Sequence, residues 1–223
     1  MFIGHFAIGF AAKRAAPAVS LGTLFLASQL ADLLWPNLVL LGIERFEIQP
    51  GATAVTPIDF VSYPISHSLV ALCLWAAAFA GLYWALRRRG PVAPLTIAAV
   101  VLSHWVLDVV THRPDMPLTL GDGRRVGMGL WNSVAGTVVV ETLLFAAGVA
   151  AYATITRARD RIGSIALWLL VGFLFAISLA NLASPPPPST SAVAWTAQAM
   201  WLLVLWGYWV DRHRETVAPA RRA

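Results

Sequence analysis

Three side chains with metal-binding chemistry recur at every fourth position of one apolar segment. His104, Asp108 and His112 stand at positions i, i+4 and i+8 of SHWVLDVVTH. On a helix this spacing places them along one face, about 6 Å apart at each step, so that neighbours can share a metal ion. Imidazole and carboxylate are ligands that suit zinc and similar divalent metals. The spacing also fits a buried histidine that donates a hydrogen bond to the aspartate, without a metal.

Further histidines and carboxylates lie in or beside the other apolar segments. They are His5, Asp32, Asp59, His67 and Glu141. An ionised carboxylate in the hydrocarbon costs several kcal/mol unless it is paired. Because no lysine or arginine lies within the apolar segments, a metal ion or protonation must neutralise Asp32 and Glu141. His5 is alternatively an interfacial residue, and Asp59 is alternatively an ordinary loop carboxylate.

The helical rise places these groups in one layer of the membrane. Counted from the cytoplasmic end of each segment, Asp32, His104 and Glu141 lie roughly 18, 20 and 22 Å deep. A short N-terminal helix would lift His5 toward the same layer. One pocket in the outer half of the bilayer is therefore expected to gather them. This ligand set exceeds what one zinc ion needs, which indicates two or more metals, or a metal and a proton-transfer residue.

Three arginines lie in the loop between the third and fourth apolar segments. Arg113, Arg124 and Arg125 stand on either side of the tripeptide GDG at residues 121–123. This composition is typical of a hairpin turn. The arginines also suit an anionic substrate, such as a phosphoester, at the mouth of the pocket.

The elements that must position these groups are membrane-spanning helices. Of the 223 residues, 58% are hydrophobic and only 12% are charged, which is about half the charged fraction of an ordinary soluble domain. The apolar runs reach the roughly 20 residues that a helix needs to cross the hydrocarbon. The sequence predicts an all-α polytopic membrane bundle of about six transmembrane helices plus a short N-terminal re-entrant or half helix. The predicted spans are residues 20–43, 66–86, 91–111, 130–156, 162–182 and 191–210.

The chain is predicted to form a single domain with a polar and an apolar part. Residues 1–156 would carry the metal-site helices, and residues 157–223 two scaffold helices and a basic tail. Twelve of the sixteen lysines and arginines fall on one side of the predicted membrane. By the positive-inside rule this side is the cytoplasm, so both termini are inside and the site opens outward. Anionic headgroups account for the basic charge, and nucleic acid is not an expected partner.

Four segments together resemble a known family. IGHFAIGF, ADLLWP, SHSL and SHWVLDVVTHRP are similar to segments of the YdjM-like bacterial inner-membrane metal-dependent hydrolases. That family is distantly similar to the all-helical zinc-dependent phospholipase C and single-strand nuclease superfamily, in which several zinc ions are bound. The resemblance covers about residues 1–145. It implies that the metal ligands are His5, Asp32, His67, His104 and Asp108, with His112 and Glu141 as further ligands or acid/base groups.

We therefore expect a zinc-dependent hydrolase in the bacterial cytoplasmic membrane, acting by metal-activated water on a phosphoester or lipid-type substrate. Asp108, His112 and Glu141 are the expected catalytic groups. A proton- or cation-coupled transporter is the alternative, because intramembrane histidines and carboxylates also relay protons. A protein that keeps a metal only for stability is a third interpretation. The concentration of polar residues in the first four segments argues against the inverted repeat of many transporters.

Overall fold

The computed structural model of the protein describes residues 1–88, 90–121 and 123–217. Four residues used in the sequence predictions lie outside these ranges. They are Arg89, Arg221 and Arg222 of the predicted cytoplasmic ends, and Asp122 of the predicted turn.

Helices make up most of the described chain, which confirms the all-α expectation. In order they are α1 (Ile3–Ala15), α2 (Leu21–Ser28), α3 (Leu30–Leu40), α4 (Pro64–His67), α5 (Leu69–Arg87), α6 (Val92–Thr111), α7 (Val134–Ile155), α8 (Arg161–Ala183), α9 (Thr190–Ala197) and α10 (Met200–Arg212). In the described ranges, five stretches are long and apolar enough to cross a membrane: α5, α6, α7, α8 and Thr190–Arg212. The pair α2 and α3 passes the same test but bends by 54°. About six spans are therefore present when the bent pair counts as one.

The short N-terminal helix α1 lies in the interior of the bundle. It packs most extensively on α7, and also on α2 and α6. Phe6 and Phe10 of α1 are fully buried, and their rings meet Phe25 of α2 edge to face. Gly148 lets α7 approach closely, since a Cβ there would lie 2.3 Å from the Ala7 carbonyl oxygen. Aromatic residues of α1 and a small residue of α7 thus allow α1 to pack in the interior of the bundle.

The C-terminal helices support this core from one side. Helix α10 crosses α2 at Gly22 and Gly207, where a Cβ on Gly207 would lie 3.1 Å from the Gly22 Cα. Paired small residues of this kind let membrane helices approach closely. Leu167, Leu170 and Leu174 of α8 are also fully buried in the same apolar cluster as α1.

The described residues also form three short antiparallel strand pairs. They are β1 (Arg45–Ile48) with β2 (Ile58–Ser62), β3 (Met116–Pro117) with β4 (Arg125–Val126), and β5 (Thr156–Ala158) with β6 (Arg214–Thr216). The first two pairs lie in the long predicted outer loops. The third joins the C-terminal ends of α7 and α10, which we call the basic end because Lys13 and Arg214 are buried there.

Candidate metal centre

Three histidines and two aspartates meet inside the bundle, and we call them the His/Asp cluster. Asp108 is at its centre: Oδ1 lies 3.0 Å from His5 Nε2, and Oδ2 lies 3.1 Å from His104 Nε2 and 3.9 Å from His67 Nε2. Asp32 Oδ1 lies 3.4 Å from His67 Nε2 and 3.7 Å from His104 Nε2. The structure thus brings together all five residues that the sequence proposes as metal ligands.

Each ligand reaches the cluster through a local feature of the chain. His104 and Asp108 lie one helical turn apart on α6. Asp32 lies in the first turn of α3, directly after the bend between α2 and α3. His67 ends the one-turn helix α4, which begins at Pro64, a residue whose fixed φ suits the first helical position. His5 comes from α1, and its ring stacks on that of His104 with centroids 3.7 Å apart.

The hydrogen bond on the far side of the His104 ring places a proton on Nδ1. Its Nδ1 lies 2.8 Å from the Ser28 carbonyl oxygen. Because a carbonyl oxygen only accepts, Nδ1 carries a proton, and in the neutral ring Nε2 then presents a lone pair to the aspartates. Nε2 makes no hydrogen bond with any described residue, although it is buried.

His67 is oriented in the same way by a chain of two further side chains. Its Nδ1 lies 2.7 Å from Ser66 Oγ, which itself donates to Glu44 Oε2 at 2.5 Å. Since the serine proton goes to Glu44, the serine oxygen accepts from Nδ1–H and leaves the Nε2 lone pair facing the aspartates. The backbone N–H groups of Ile65 and Ser66 donate to Glu44 Oε1 at 2.7 and 2.8 Å. Histidine ligands of metals are commonly oriented by such outer partners.

The two serines beside His67 have different roles. Ser68 caps α5 by accepting from Ala71 N–H, and Ser66 orients His67. Glu44 was missed, because an acidic residue at the start of an outer loop gives no periodic signal. Gln29 and Trp35 were missed as well. They flank Asp32 three residues away on either side, and their side-chain polar atoms are buried without a partner in the described ranges.

In this cluster, hydrogen-bond acceptors of the histidines lie opposite the carboxylate oxygens of the aspartates. Two imidazole nitrogens lie beside two carboxylates, of which Asp108 is buried and Asp32 retains 27% exposure, and burying unpaired negative charge is costly. Within the described part of the chain, the backbone amino group of Met1 supplies one positive charge, 2.7 Å from Asp108 Oδ1, and no lysine or arginine side chain pairs with either aspartate. With neutral imidazoles, the two carboxylates therefore carry more negative charge than the Met1 amino group balances.

The spacing of the ligand atoms fits a bound cation. His5, His104 and Asp108 form one group and Asp32, His67 and His104 another, each with ligand atoms within 4.8 Å of one another. Bonds of about 2.0–2.1 Å in a tetrahedral zinc site put neighbouring ligand atoms roughly 3.3 Å apart. The observed nitrogen–oxygen distances of 3.0 to 3.9 Å lie around this value. His5, His104 and Asp108 thus form a buried group that could hold a metal ion, with donor types that suit zinc.

His112 does not join the cluster. It caps the C-terminus of α6 in an extended conformation, with φ −67° and ψ 149°, so its side chain leaves the helical face of His104 and Asp108. Its Nδ1 lies 2.9 Å from Asp115 Oδ1, and Tyr63 OH donates to the same oxygen at 3.0 Å. Burial, followed by the Asp115 charge, raises the pKa of Tyr63 well above its usual value, so the phenol remains a donor. We call His112 and Asp115 the His–Asp dyad.

Tyr63 also connects the dyad with the cluster. The centre of its ring lies 5.3 Å from that of His67 and 6.1 Å from that of His112. On its other sides the His112 ring packs on Phe60 at 4.7 Å and Trp131 at 4.4 Å. The dyad is thus a neighbour of the cluster, separated from it by one aromatic ring.

Glu141 lies at the N-terminus of α1. Its Oε2 accepts from the backbone N–H groups of Ile3 at 2.9 Å and Gly4 at 3.3 Å. These are the first amides of the helix, which lack helical acceptors and carry the positive end of its dipole. This contact offsets the cost of burying the carboxylate and fixes the turn that carries His5. The acid/base role of Glu141 stays a prediction.

The three arginines differ in their surroundings. Arg113 pairs with Asp59, and its Nε lies 3.3 Å from Asp115 Oδ2. Arg125 donates to the Val61 carbonyl oxygen at 3.1 Å, and Arg124 is exposed. Arg113 is thus engaged with carboxylates of the protein and helps to hold the dyad. Substrate binding by the arginines stays a prediction.

No protein-family model, curated protein or solved structure matches the chain. The resemblance to the YdjM-like hydrolases therefore stays an expectation from the four quoted segments. The functional argument rests on the geometry of the cluster and the dyad.

Proposed function

We propose that this protein is a membrane-embedded, zinc-dependent hydrolase that cleaves a phosphoester of a lipid-type substrate. The observation that carries the proposal is the orientation of His67 and His104. Hydrogen bonds on their Nδ1 atoms direct both Nε2 lone pairs at two aspartates in the interior of an apolar bundle. A divalent cation satisfies this arrangement of acceptors, whereas the chain itself supplies one amino group.

His5, Asp32, His67, His104 and Asp108 are the proposed ligands of the metal. When bound, zinc lowers the pKa of a coordinated water and polarises a phosphoryl oxygen. Asp108 contacts three histidines of the cluster and would fix the relative positions of their nitrogens. Gln29 and Trp35, which flank Asp32 with unpartnered buried groups, are candidate donors to a water or substrate oxygen.

The His–Asp dyad is the proposed acid/base group. Because Asp115 takes the Nδ1 proton of His112, the Nε2 lone pair is available to accept a proton or, once protonated, to donate it to the leaving oxygen. Tyr63 and Arg113 both bond to Asp115 and so keep the dyad in place. Asp115 is a positioning residue in this scheme.

The proposed location is the bacterial cytoplasmic membrane, with both termini in the cytoplasm and the site toward the outer side. The excess of basic residues on one side of the predicted spans supports this orientation. The two long loops with the β1–β2 and β3–β4 pairs lie on the opposite side in this arrangement. A lipid-linked phosphoester would reach the cluster laterally, from within the bilayer.

Metal content of the purified protein tests the proposal directly. We expect at least one zinc per chain in the wild type and its loss in His104→Ala and Asp108→Ala. His213→Ala is the matched control, because His213 also pairs with an aspartate but lies, partly exposed, at the basic end. A wild type with less than one zinc per chain, or full retention in both cluster variants, would contradict the metal assignment.

Turnover separates the hydrolase from the other interpretations. The metal-loaded protein should hydrolyse at least one member of a panel of phospholipids and lipid-linked phosphoesters, and His112→Ala should lose activity while keeping its metal. Bound metal without hydrolysis would favour a structural site, and metal or proton flux in proteoliposomes would favour a transporter.

A further inference from the structure

A second feature of the bundle is a large apolar cavity beside the cluster. Its volume is about 780 Å³, and its walls are α7, the second half of α8, α9, α10 and residues 55–58 and 60 of the first outer loop. The lining includes Ile58, Thr142, Ser178, Leu182, Val193 and Leu203. This volume lies within the range of ligand-binding pockets, roughly 300–1,000 Å³.

The cavity exists because α8 leaves the core halfway along its length. All buried residues of α8 lie between Gly163 and Leu174. Beyond Leu174, the apolar side chains of Ile177 and Leu182 line the cavity and lie outside the core cluster of α1. The proline segment and α9 complete the wall on the far side.

Two groups of residues that line the cavity also border the proposed catalytic residues. Phe2, Ile3 and Glu141 line it where α1 begins, two residues before the cluster ligand His5. Phe60 and Trp131 line it where they pack on the His112 ring. A molecule that fills the cavity therefore contacts residues that border the cluster and the His–Asp dyad.

The lining chemistry identifies the class of occupant. Glu141 is the only ionisable residue among the lining residues in the described chain, so a polar solute would find few partners. The walls α7, α8 and Thr190–Arg212 are long and apolar enough to cross a membrane, which places the cavity among hydrocarbon chains. We propose that the cavity binds a hydrocarbon chain of the substrate lipid, with its phosphoester held at the cluster. This inference rests on the proposed function for the identity of the substrate.

Photo-crosslinking with a defined lipid tests the assignment. The probe is phosphatidylglycerol with a diazirine near the end of one acyl chain, in vesicles of phosphatidylethanolamine and phosphatidylglycerol that contain the purified protein. We expect preferential labelling at the residues Thr142, Ser178 and Val193 themselves, located by fragmentation of the labelled peptides. Labelling spread evenly over exposed positions such as Leu143 and Leu205 would overturn the proposal.

Cavity-filling variants provide a second measurement. Thr142→Trp and Ser178→Trp should each reduce labelling of the residues that line the cavity by about tenfold relative to the wild type. This is the equivalent of about 1.4 kcal/mol in binding free energy. Leu143→Trp and Ala176→Trp are matched controls on the same helices, since both positions are exposed and lie outside the lining. Equal labelling in the filled variants and the controls would also overturn the proposal.

The two proposals fail in different ways. If the wild type binds zinc and shows no cavity labelling, the chain-binding site is wrong and the metal centre stands. If the cavity is labelled and the protein binds no metal, the hydrolase proposal is wrong and the lipid-binding cavity stands. Zinc content should be the same in the filled variants and their controls, which separates loss of the chain site from loss of the fold.

Discussion

Two regions of this bundle bury charged side chains and balance them differently. At the basic end, Lys13 Nζ lies 2.7 Å from Asp211 Oδ2 and 2.8 Å from the Val19 carbonyl oxygen. The guanidinium of Arg214 donates to the Thr156 and Gly163 carbonyl oxygens. Both cations, Lys13 and Arg214, are thus paired with acceptors of the chain itself.

The His/Asp cluster has the opposite composition. Its two aspartates face two histidine lone pairs, and the one cationic partner in the described chain is the Met1 amino group. Burial of charge is therefore common to both regions, whereas the excess of acceptors is confined to the cluster. This difference indicates that burial alone does not mark a functional site. The excess of acceptors over cations is what distinguishes the cluster, because a cation from outside the chain can balance it.

The largest expected difference between the regions appears on removal of metal. Saturating zinc at about 1,000 times its Kd would stabilise the wild type by about 4 kcal/mol, because only the folded state binds it. This gain should vanish in Asp108→Asn and persist in Asp211→Asn. Unfolding in mild detergent with and without a chelator measures it. A chelator effect that survives Asp108→Asn would remove the basis of the comparison.

The basic end should respond to loss of its own cation, independently of metal. Lys13→Met leaves Asp211 with the Tyr152 hydroxyl at 3.1 Å as its side-chain partner. Breaking a buried ion pair on one side costs about 3–5 kcal/mol, and we expect the lower end because Asp211 retains 15% exposure. Chemical denaturation of the metal-free protein measures the loss.

The double variant Lys13→Met/Asp211→Leu is the control for that substitution. It should recover part of the stability, since both charges are then absent. A double variant as unstable as Lys13→Met would show that packing of the lysine stem, and not the unpaired charge, dominates at the basic end.

The outer partners of His67 should produce a smaller effect. Glu44→Gln and Ser66→Ala weaken the orientation of the imidazole, and removal of such partners typically costs 10- to 100-fold in metal affinity, or about 1.4–2.8 kcal/mol. Glu47→Gln is the matched control, because Glu47 is exposed on β1. Competition with a chromogenic zinc chelator measures the affinities. Unchanged affinity in both Glu44→Gln and Ser66→Ala would contradict the assigned tautomer of His67.

Local sequence patterns predicted most of the membrane spans and part of the His/Asp cluster. Apolar run lengths gave the spans to within a few residues, apart from the bend between α2 and α3 and the break between α9 and α10. The i, i+4 spacing joined His104 and Asp108, and helical rise brought Asp32 to the same depth. These features depend on sequence spacing and helical geometry alone.

Features that depend on helix ends and loops were not predictable in this way. His112 follows the last residue of α6, where the extended cap conformation turns its side chain to Asp115 and away from Asp108. Glu141 was expected near a metal, but the orphan amides of α1 hold its carboxylate. Glu44 reaches His67 through a serine and the chain turn before α4. In each case the partner is set by tertiary contacts between distant segments.

The smallest expected effect concerns the exposed histidine–aspartate pair. His213 Nδ1 lies 2.8 Å from Asp160 Oδ2, closer than any histidine–aspartate contact of the cluster, but the side chains retain 28% and 46% exposure. The hydrogen bond from His213 and then the Gly163 amide lower the pKa of Asp160. A lowered folded pKa stabilises the fold above the usual carboxyl range, and the contribution is lost as pH falls through the folded value.

Asp160→Asn should therefore leave metal content unchanged and slightly reduce the melting temperature at pH 7. The difference from wild type should shrink at low pH, below the usual aspartate pKa of about 3.9, and the part due to the ion pair should shrink in high salt. Thermal unfolding at several pH values and salt concentrations measures this. Loss of zinc in Asp160→Asn would show that short histidine–aspartate distances, and not the buried excess of acceptors, determine where this protein binds metal.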